Sequence, residues 1–372
     1  MSEPISIAII AGQLVVGGAE RQLYLWLSNL DRERFDPIVL TLHPGHADYW
    51  EEPIEALGIP LFRIAQRRNR LRRLWDIIRV LRPHRPQLIH GWHLFASAYA
   101  GLAARVLGAR CLGGVRNTYE TFTSHRMESW ITLHTADALV ANSKQTASAL
   151  AHKQQRQKPA VFAVQNAIED QFASRESARA ALMEIYHLPA DALWLVSMGR
   201  LEPLKRFDWL LELMSNLKKE ENKLHLVLIG DGPERQRLSE MAGDLNLEDC
   251  VTMTGEVPMA STWLKGFDIF VFPSVDEGMP NVIMEAGAAG QPILTWRLPF
   301  YEELLTDGQN ALLVEPGTLT AMEEAIRVMS KDEQMRNQLG QAAREHILAA
   351  FSLERFIREM TGVYEQVLGG QK

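Results

Sequence analysis

Short apolar runs alternate with longer amphipathic segments along almost the whole 372-residue chain, and this alternation is what most constrains its fold. A strand that is apolar on both faces must be covered on both sides, and helices crossing between parallel strands provide that cover. In the first half the strand-like runs are ISIAII, PIVLTL, PLFRI, QLIHG, ARCLGGV, ADALVA and AVFAV, with helix-like segments such as AERQLYLWLSNL and LFASAYAGLAARVLG between them. The pattern pauses after Asn166 and resumes with LWLVSMG, LHLVLIG, CVTMTG, DIFVFPS, QPILTW and ALLVE. The spacing predicts an α/β protein of two doubly wound, parallel-sheet, Rossmann-like domains, over 1–170 and 171–350, followed by a terminal helical segment over 351–372. Helices are predicted over 333–350 and 353–367. Two such domains are expected to face each other across a cleft, with ligands at the carboxyl ends of the strands.

A chain that is 47% hydrophobic and 23% charged, without a fixed-period repeat or low-complexity tract, has the material for two cores and is no disordered or solenoid protein. The two cysteines, Cys111 and Cys250, lie in separate apolar runs, which argues for burial and against a disulfide framework or zinc site. The start MSEPISIAIIAG has neither the basic region nor the long apolar core of a secretory leader, and no apolar run is long enough for a membrane span. A cytoplasmic location is the expectation, peripheral on the inner face of the cell membrane. Charge is divided unevenly: residues 1–165 carry 20 Lys and Arg against 13 Asp and Glu, the remainder 19 against 33.

The densest chemistry stands in EGMPNVIME, where Glu277 and Glu285 flank Gly278, Met279, Pro280, Asn281 and Val282 at a predicted strand-to-helix junction. Pro280 suits the first turn of the helix. The first N–H groups of that turn would point outward at an end carrying about half a positive charge, a place for a phosphate. Carboxylates repel phosphate, so Glu277, in the loop, and Glu285, about one turn inside the helix, are read as acceptors for neutral hydroxyls such as those of a ribose or hexose. Three more loops sit at predicted strand ends. Gly17 and Gly18 precede a helix and let backbone approach a ligand. In GRLEPLKRFD, Arg200 and Lys205 suit a diphosphate, one as a fork and one as a point charge. GDGP forms a turn that could line a nucleoside pocket.

In this order, GGAERQ, GRLEPLKRFD, GDGP, TGEV, FVFPS and EGMPNVIMEA resemble the retaining glycosyltransferases of family 4, which have the GT-B fold. The likeness spans essentially the whole chain and is strongest from Leu195 to Pro316. It implies an N-terminal acceptor-binding domain, a C-terminal nucleotide-sugar domain, and a last helix crossing back to the first domain. It further implies that Arg200 and Lys205 bind the donor diphosphate, Glu285 the ribose, and Glu277 the donor sugar. The amides from Met279 to Val282 would hold sugar and phosphate, while Gly255 and Val257 contact the base and Gly17 and Gly18 close over the phosphates. The family is thought to work by front-face attack, in which the leaving phosphate oxygen takes the acceptor's proton and Glu277 is not a covalent nucleophile. Where members often carry a histidine after the fifth strand, this chain reads GGVRNTYE with Arg116 there; His93, in HGWH, and Arg116 are the candidates for that place. No D-x-D occurs, so the diphosphate is expected to be neutralised by cations and a helix end without metal or other cofactor. The resemblance points to transfer from a UDP-sugar to a lipid-linked or cell-surface polysaccharide. A nucleotide-sugar 2-epimerase of the same architecture, or a non-catalytic nucleotide-sugar-binding partner, are the alternatives.

Arginines crowd the stretch from Arg63 to Arg85, where Leu71, Leu74, Trp75, Ile78 and Leu81 recur at helical spacing. The apolar stripe is expected to face the domain's own core. Arg67, Arg68, Arg70, Arg72 and Arg73 are read as a basic face for an anionic membrane surface or a lipid diphosphate acceptor. No nucleic-acid recognition motif accompanies them.

Overall fold

The computed structural model describes residues 3–43, 48–65, 69–153, 159–218 and 223–369. The chain divides into two compact units, Met1–Ala167 with Leu353–Lys372, and Ile168–Ser352. Unit 1 runs β1 (Ile5–Ala11), α1 (Gly18–Ser28), β2 (Phe35–Thr41), α2 (Glu51–Ala56), β3 (Leu61–Arg63), α3 (Arg70–Leu81), β4 (Leu88–Gly91), α4 (Leu94–Leu107), β5 (Arg110–Val115), α5 (Tyr119–Ser124), α6 (Arg126–Thr135), β6 (Ala138–Ala141), α7 (Lys144–Lys153) and β7 (Ala160–Ala163). Unit 2 follows with α8 (Arg175–Tyr186), β8 (Leu193–Met198), α9 (Phe207–Leu217), β9 (Leu224–Ile229), α10 (Arg235–Asp244), β10 (Val251–Gly255), β11 (Ile269–Phe272), α11 (Asn281–Ala288), β12 (Ile293–Trp296), α12 (Pro299–Glu302), β13 (Leu312–Val314), α13 (Leu319–Lys331) and α14 (Glu333–Ala350). The last helix, α15 (Leu353–Gly369), belongs to unit 1.

Both sheets are parallel and doubly wound, with strand orders β3-β2-β1-β4-β5-β6-β7 and β10-β9-β8-β11-β12-β13. All thirteen strand-like runs of the sequence are strands. Their apolar continuity has a direct cause: the central strands are buried on both faces, as in the IAIIA of β1, the LIHG of β4 and the IFVF of β11. One consequence decides where chemistry can occur. In unit 1 the winding reverses between β1 and β4, and in unit 2 between β8 and β11. At such points the loops leaving the two strands diverge and open a crevice at the carboxyl ends.

The core of unit 2 is built on large aromatics, among them Trp194, Phe207, Phe267, Phe270, Phe272, Trp296 and Tyr301, all 2% exposed or less. One face of the unit 1 sheet is covered by α3, α4 and the α5–α7 region, through Ile77, Leu81, Tyr99, Phe122 and Leu150. Cys111 and Cys250 are free and buried. No described helix is long and apolar enough to cross a membrane.

Two expectations need correction. In α3 the apolar stripe is split: Ile77 and Leu81 are buried, while Leu71 and Trp75 point out, 77% and 59% exposed. Arg73, expected on the basic outer face, is instead buried, its guanidinium 5.6 Å and 5.9 Å from the ring centres of Phe95 and Tyr99. The aromatic rings of α4 take its charge by cation–π contact and its stem by packing. Arg70 and Arg72 are exposed. Arg67 and Arg68 lie outside the described residues. The second correction is smaller: Pro280 is the residue before α11 rather than its first turn. Its ψ of 100° is extended, and its carbonyl accepts the first helical bonds, from Ile283 N at 3.1 Å and Met284 N at 3.4 Å.

Candidate functional site

At the switch point of unit 2 the loop leaving β11 is held by donors from deeper in the fold. Thr295 Oγ1 donates to the carbonyl of Phe272 at 2.6 Å, Trp296 Nε1 to that of Pro273 at 2.7 Å, and Tyr301 Oη to that of Ser274 at 3.0 Å. Three successive carbonyls that the end of a strand would leave orphaned are thus satisfied by buried side chains. The loop after β8 is tied to the same place, since Val275 N and Ser274 Oγ both donate to Leu204 O, at 3.0 and 3.3 Å. With both loops fixed, Lys205 and Glu277 meet, and the ammonium group donates to the Glu277 carboxylate. Their side chains are 19% and 12% exposed, and the Lys205 ammonium lies 5.3 Å from the centre of the Phe272 ring. Burial pushes the Tyr301 phenol well above its usual pKa, and the negative charge of Glu277 adds to the shift, so Tyr301 stays a neutral donor.

Around this pair the other predicted residues fall out differently. Gly278 is partly exposed, Met279 and Pro280 are buried, and Asn281 and Val282 open α11 with partial exposure. Glu285 is 8% exposed on α11, between buried Met284 and Ala286. Arg200 is not brought to Lys205 and Glu277: its side chain is 68% exposed and pairs with Glu202, Nε to Oε1 at 2.9 Å. Gly255 closes β10, and its carbonyl accepts from Gly230 N at 2.9 Å; Val257 packs on the core. The glycine at 230 is obligatory. Its φ is +144°, and a Cβ there would run into the carbonyl oxygen of Gly199, which has no freedom to retreat. This close approach draws the ends of β8 and β9 together.

Unit 1 has its own cluster at the β1/β4 switch point. Gly17 precedes α1 and Gly18 opens it. A side chain at Gly17 would collide with the Glu20 carboxylate, which is held in turn by His93, Oε1 to Nε2 at 3.2 Å. His93 is the residue before α4, and among the described residues its buried Nδ1 has no hydrogen-bond partner. Trp92 donates through Nε1 to Ala19 O at 2.8 Å, tying the β4 loop to the start of α1. Arg116 lies flat on Trp92, 3.6 Å from the ring centre; its Nε donates to Trp92 O at 3.2 Å and its Nη1 to Asn166 Oδ1 at 3.3 Å. Burial lowers its pKa to about 9, against the pull of Glu20 and Tyr364, so it remains a cation at neutral pH. Beneath it, His90 Nδ1 shares a hydrogen bond with Tyr364 Oη at 2.9 Å, and Trp26 Nε1 donates to the same oxygen at 3.2 Å.

The structure therefore joins Glu277 with Lys205 and His93 with Glu20 and places Arg116 on Trp92. Glu20, Trp296 and Tyr301 were not singled out from the sequence. Glu20 had a signal, an acid in the first turn after Gly-Gly; the other two sit in ordinary apolar runs and had none.

Residues 16–172 match the family described as Glycosyltransferase Family 4, and residues 179–346 match Glycosyl transferases group 1. Among curated proteins, the chain is 28% identical over 339 residues to the lipopolysaccharide core biosynthesis glycosyltransferase LpsD of Rhizobium meliloti, covering 90% of this chain and 91% of that one. It is 32% identical over 183 residues to LpsE of the same organism, a protein of the same description, covering 49% and 52%. Among solved structures, Anabaena Alr3699/HepE in complex with UDP and glucose superposes with a TM-score of 0.86 at 17% identity, over 97% of this chain and all of that one. With a family 4 match over residues 16–172, a group 1 match over residues 179–346, and two Rossmann-like parallel sheets, the chain is a glycosyltransferase of the GT-B type.

Proposed function

We propose that this glycosyltransferase moves a sugar from a nucleotide-sugar, UDP-linked, onto a lipid-linked or cell-surface saccharide acceptor, with retention of configuration and without a metal ion. The observation that carries the reading is the meeting of Lys205 and Glu277 at the β8/β11 switch point, beside the N-terminal end of α11, with Glu285 one turn inside it. A leaving diphosphate needs positive charge that is already in place, and Lys205 with the end of α11 supplies it. Glu277, held by Lys205, is oriented toward the donor sugar and stabilises the positive charge that builds on its anomeric carbon. Glu285 accepts from the ribose hydroxyls. The bond from the anomeric carbon to the phosphate oxygen breaks while that to the acceptor oxygen forms on the same face, and the leaving phosphate takes the acceptor's proton. Saccharide assembly as the setting is supported by the described roles of LpsD and LpsE, and the uridine base by the UDP held in HepE.

The test is ligand-induced thermal stabilisation across nucleotides and nucleotide-sugars, with chelator and then with magnesium, followed by NMR of the product's anomeric linkage. UDP and one UDP-sugar should stabilise the protein in chelator, by an amount that grows with ligand concentration, and Glu285→Ala should abolish the shift. Stabilisation only with magnesium sinks the metal-free part. A released 2-epimer without acceptor, or binding without turnover, sinks the transferase reading.

A further inference from the structure

The large apolar side chains of unit 1 that stand exposed among the described residues all lie in α3, α4 or α6. α4 packs against both of the others, so the three form one helical layer whose inner side is the core and whose outer side is open. On that outer side Leu71 and Trp75 of α3, at i and i+4, share a stripe, and so do Met127 and Trp130 of α6, at i and i+3. Trp75 and Trp130 are 59% and 61% exposed. The two helices begin side by side: the Arg70 guanidinium reaches Met127 Sδ at 3.5 Å and Glu128 Oε1 at 3.3 Å. Trp75 has an arginine against its ring, and Trp130 stacks on His134. Arg79 sits 5.4 Å from the centre of the Trp75 ring, and Arg72, Arg79 and Arg126 are exposed. Single exposed apolar residues are unremarkable, but two exposed tryptophans on helices that share one layer and are linked at their starts by Arg70, with basic neighbours, mark a contact surface.

We propose that the outer face of α3 and α6 docks on an anionic lipid bilayer. Charge complementarity selects this occupant: unit 1 carries 23 Lys and Arg against 16 Asp and Glu, and the two acids of these helices stand beside arginines, Glu128 paired with Arg70 and Asp76 one turn from both Arg72 and Arg79. Indole rings settle at the boundary between headgroups and acyl chains, where the ring is buried and the N–H stays wet, while arginine heads remain with the phosphates on buried stems. The inference goes beyond the transfer reaction and does not depend on it, because membrane binding is read without donor or acceptor.

The experiment is co-sedimentation of the full chain with vesicles of phosphatidylcholine alone and of phosphatidylcholine mixed with phosphatidylglycerol. Binding is expected only to the anionic vesicles, falling as salt is raised. The Arg72→Glu, Arg79→Glu double variant should lower the partition coefficient about thirtyfold, which is about 2 kcal/mol at about 1.4 kcal/mol per decade. Trp75→Ala with Trp130→Ala should lower it at least about tenfold, whereas Val328→Ala, an exposed apolar residue of unit 2, should leave it unchanged. In the unaltered protein, bromine-labelled acyl chains should quench tryptophan fluorescence, and Trp75→Phe with Trp130→Phe should remove that quenching. No binding to anionic vesicles, binding that ignores both double variants, or self-association that the tryptophan variants abolish would each overturn the proposal, the last by assigning the face to a second copy.

Discussion

Changing Glu277 to Gln keeps the size and one acceptor oxygen of the side chain and removes its charge, so it isolates what the pair with Lys205 contributes. The two side chains are 19% and 12% exposed, between a surface pair and a fully buried one. Surface pairs are worth about 0.2–1 kcal/mol, and breaking a buried pair costs about 3–5 kcal/mol. Partial solvent access and the retained amide acceptor place this change at about 1–2 kcal/mol. For a domain of this size that corresponds to a fall of about 2–8 °C in the melting temperature of unit 2. Lys205→Met should cost a similar amount. The double variant should lose less than the sum of the two, by about 1 kcal/mol, because each single change strands the other partner. Turnover is the second readout: Glu277→Gln should reduce kcat by about 10²–10³, the range for losing one preorganised electrostatic contact, with the donor KM held within about threefold. Calorimetry of the ligand-free protein and steady-state kinetics of the four proteins provide both numbers. Additivity within about 0.5 kcal/mol, together with unchanged kcat, would refute the reasoning, since a pair that is neither coupled nor catalytic positions nothing.

Gly230→Ala places a methyl group against the Gly199 carbonyl at a positive φ, so unit 2 should lose about 2 kcal/mol or more; hydrogen exchange that rises across β8–β10 and not across unit 1 would register it, and a wild-type melt would contradict it. Acid should destabilise unit 1 through His90, whose pKa burial depresses well below 6.5, with Arg116 and His93 adding to the shift. The folded state keeps this ring neutral while the unfolded chain takes up a proton, so the contribution is whole above pH 6.5 and is lost as pH falls below it, by about 1.4 kcal/mol per pH unit. His90→Gln should flatten the acid limb of the stability curve measured by denaturant titration, and an unchanged limb would show that the imidazole does not titrate on unfolding.

The strands and their order of appearance could be read from the chain, because parallel strands covered on both faces leave continuous apolar runs that little else produces. The position of Glu277 in a loop and of Glu285 inside a helix could be read too, since Gly-Met-Pro ends one element and starts another within a few residues. The register of α3 could not: its periodicity states that Leu71, Leu74, Trp75, Ile78 and Leu81 share a side, but Tyr99 and Phe95 of α4 decide that Arg73 goes in and Trp75 stays out. The same holds for the pairs that matter most. Lys205 and Glu277 are 72 positions apart, and the hydrogen bond between His90 and Tyr364 spans 274. Local propensity acts over one or two turns of chain, whereas such partners are chosen by the order in which strands lie in a sheet and by which carbonyls remain to be satisfied where they end. That order is a property of the packed molecule, and it is why Lys205 found Glu277, whereas the exposed Arg200 pairs with Glu202, two positions along the chain.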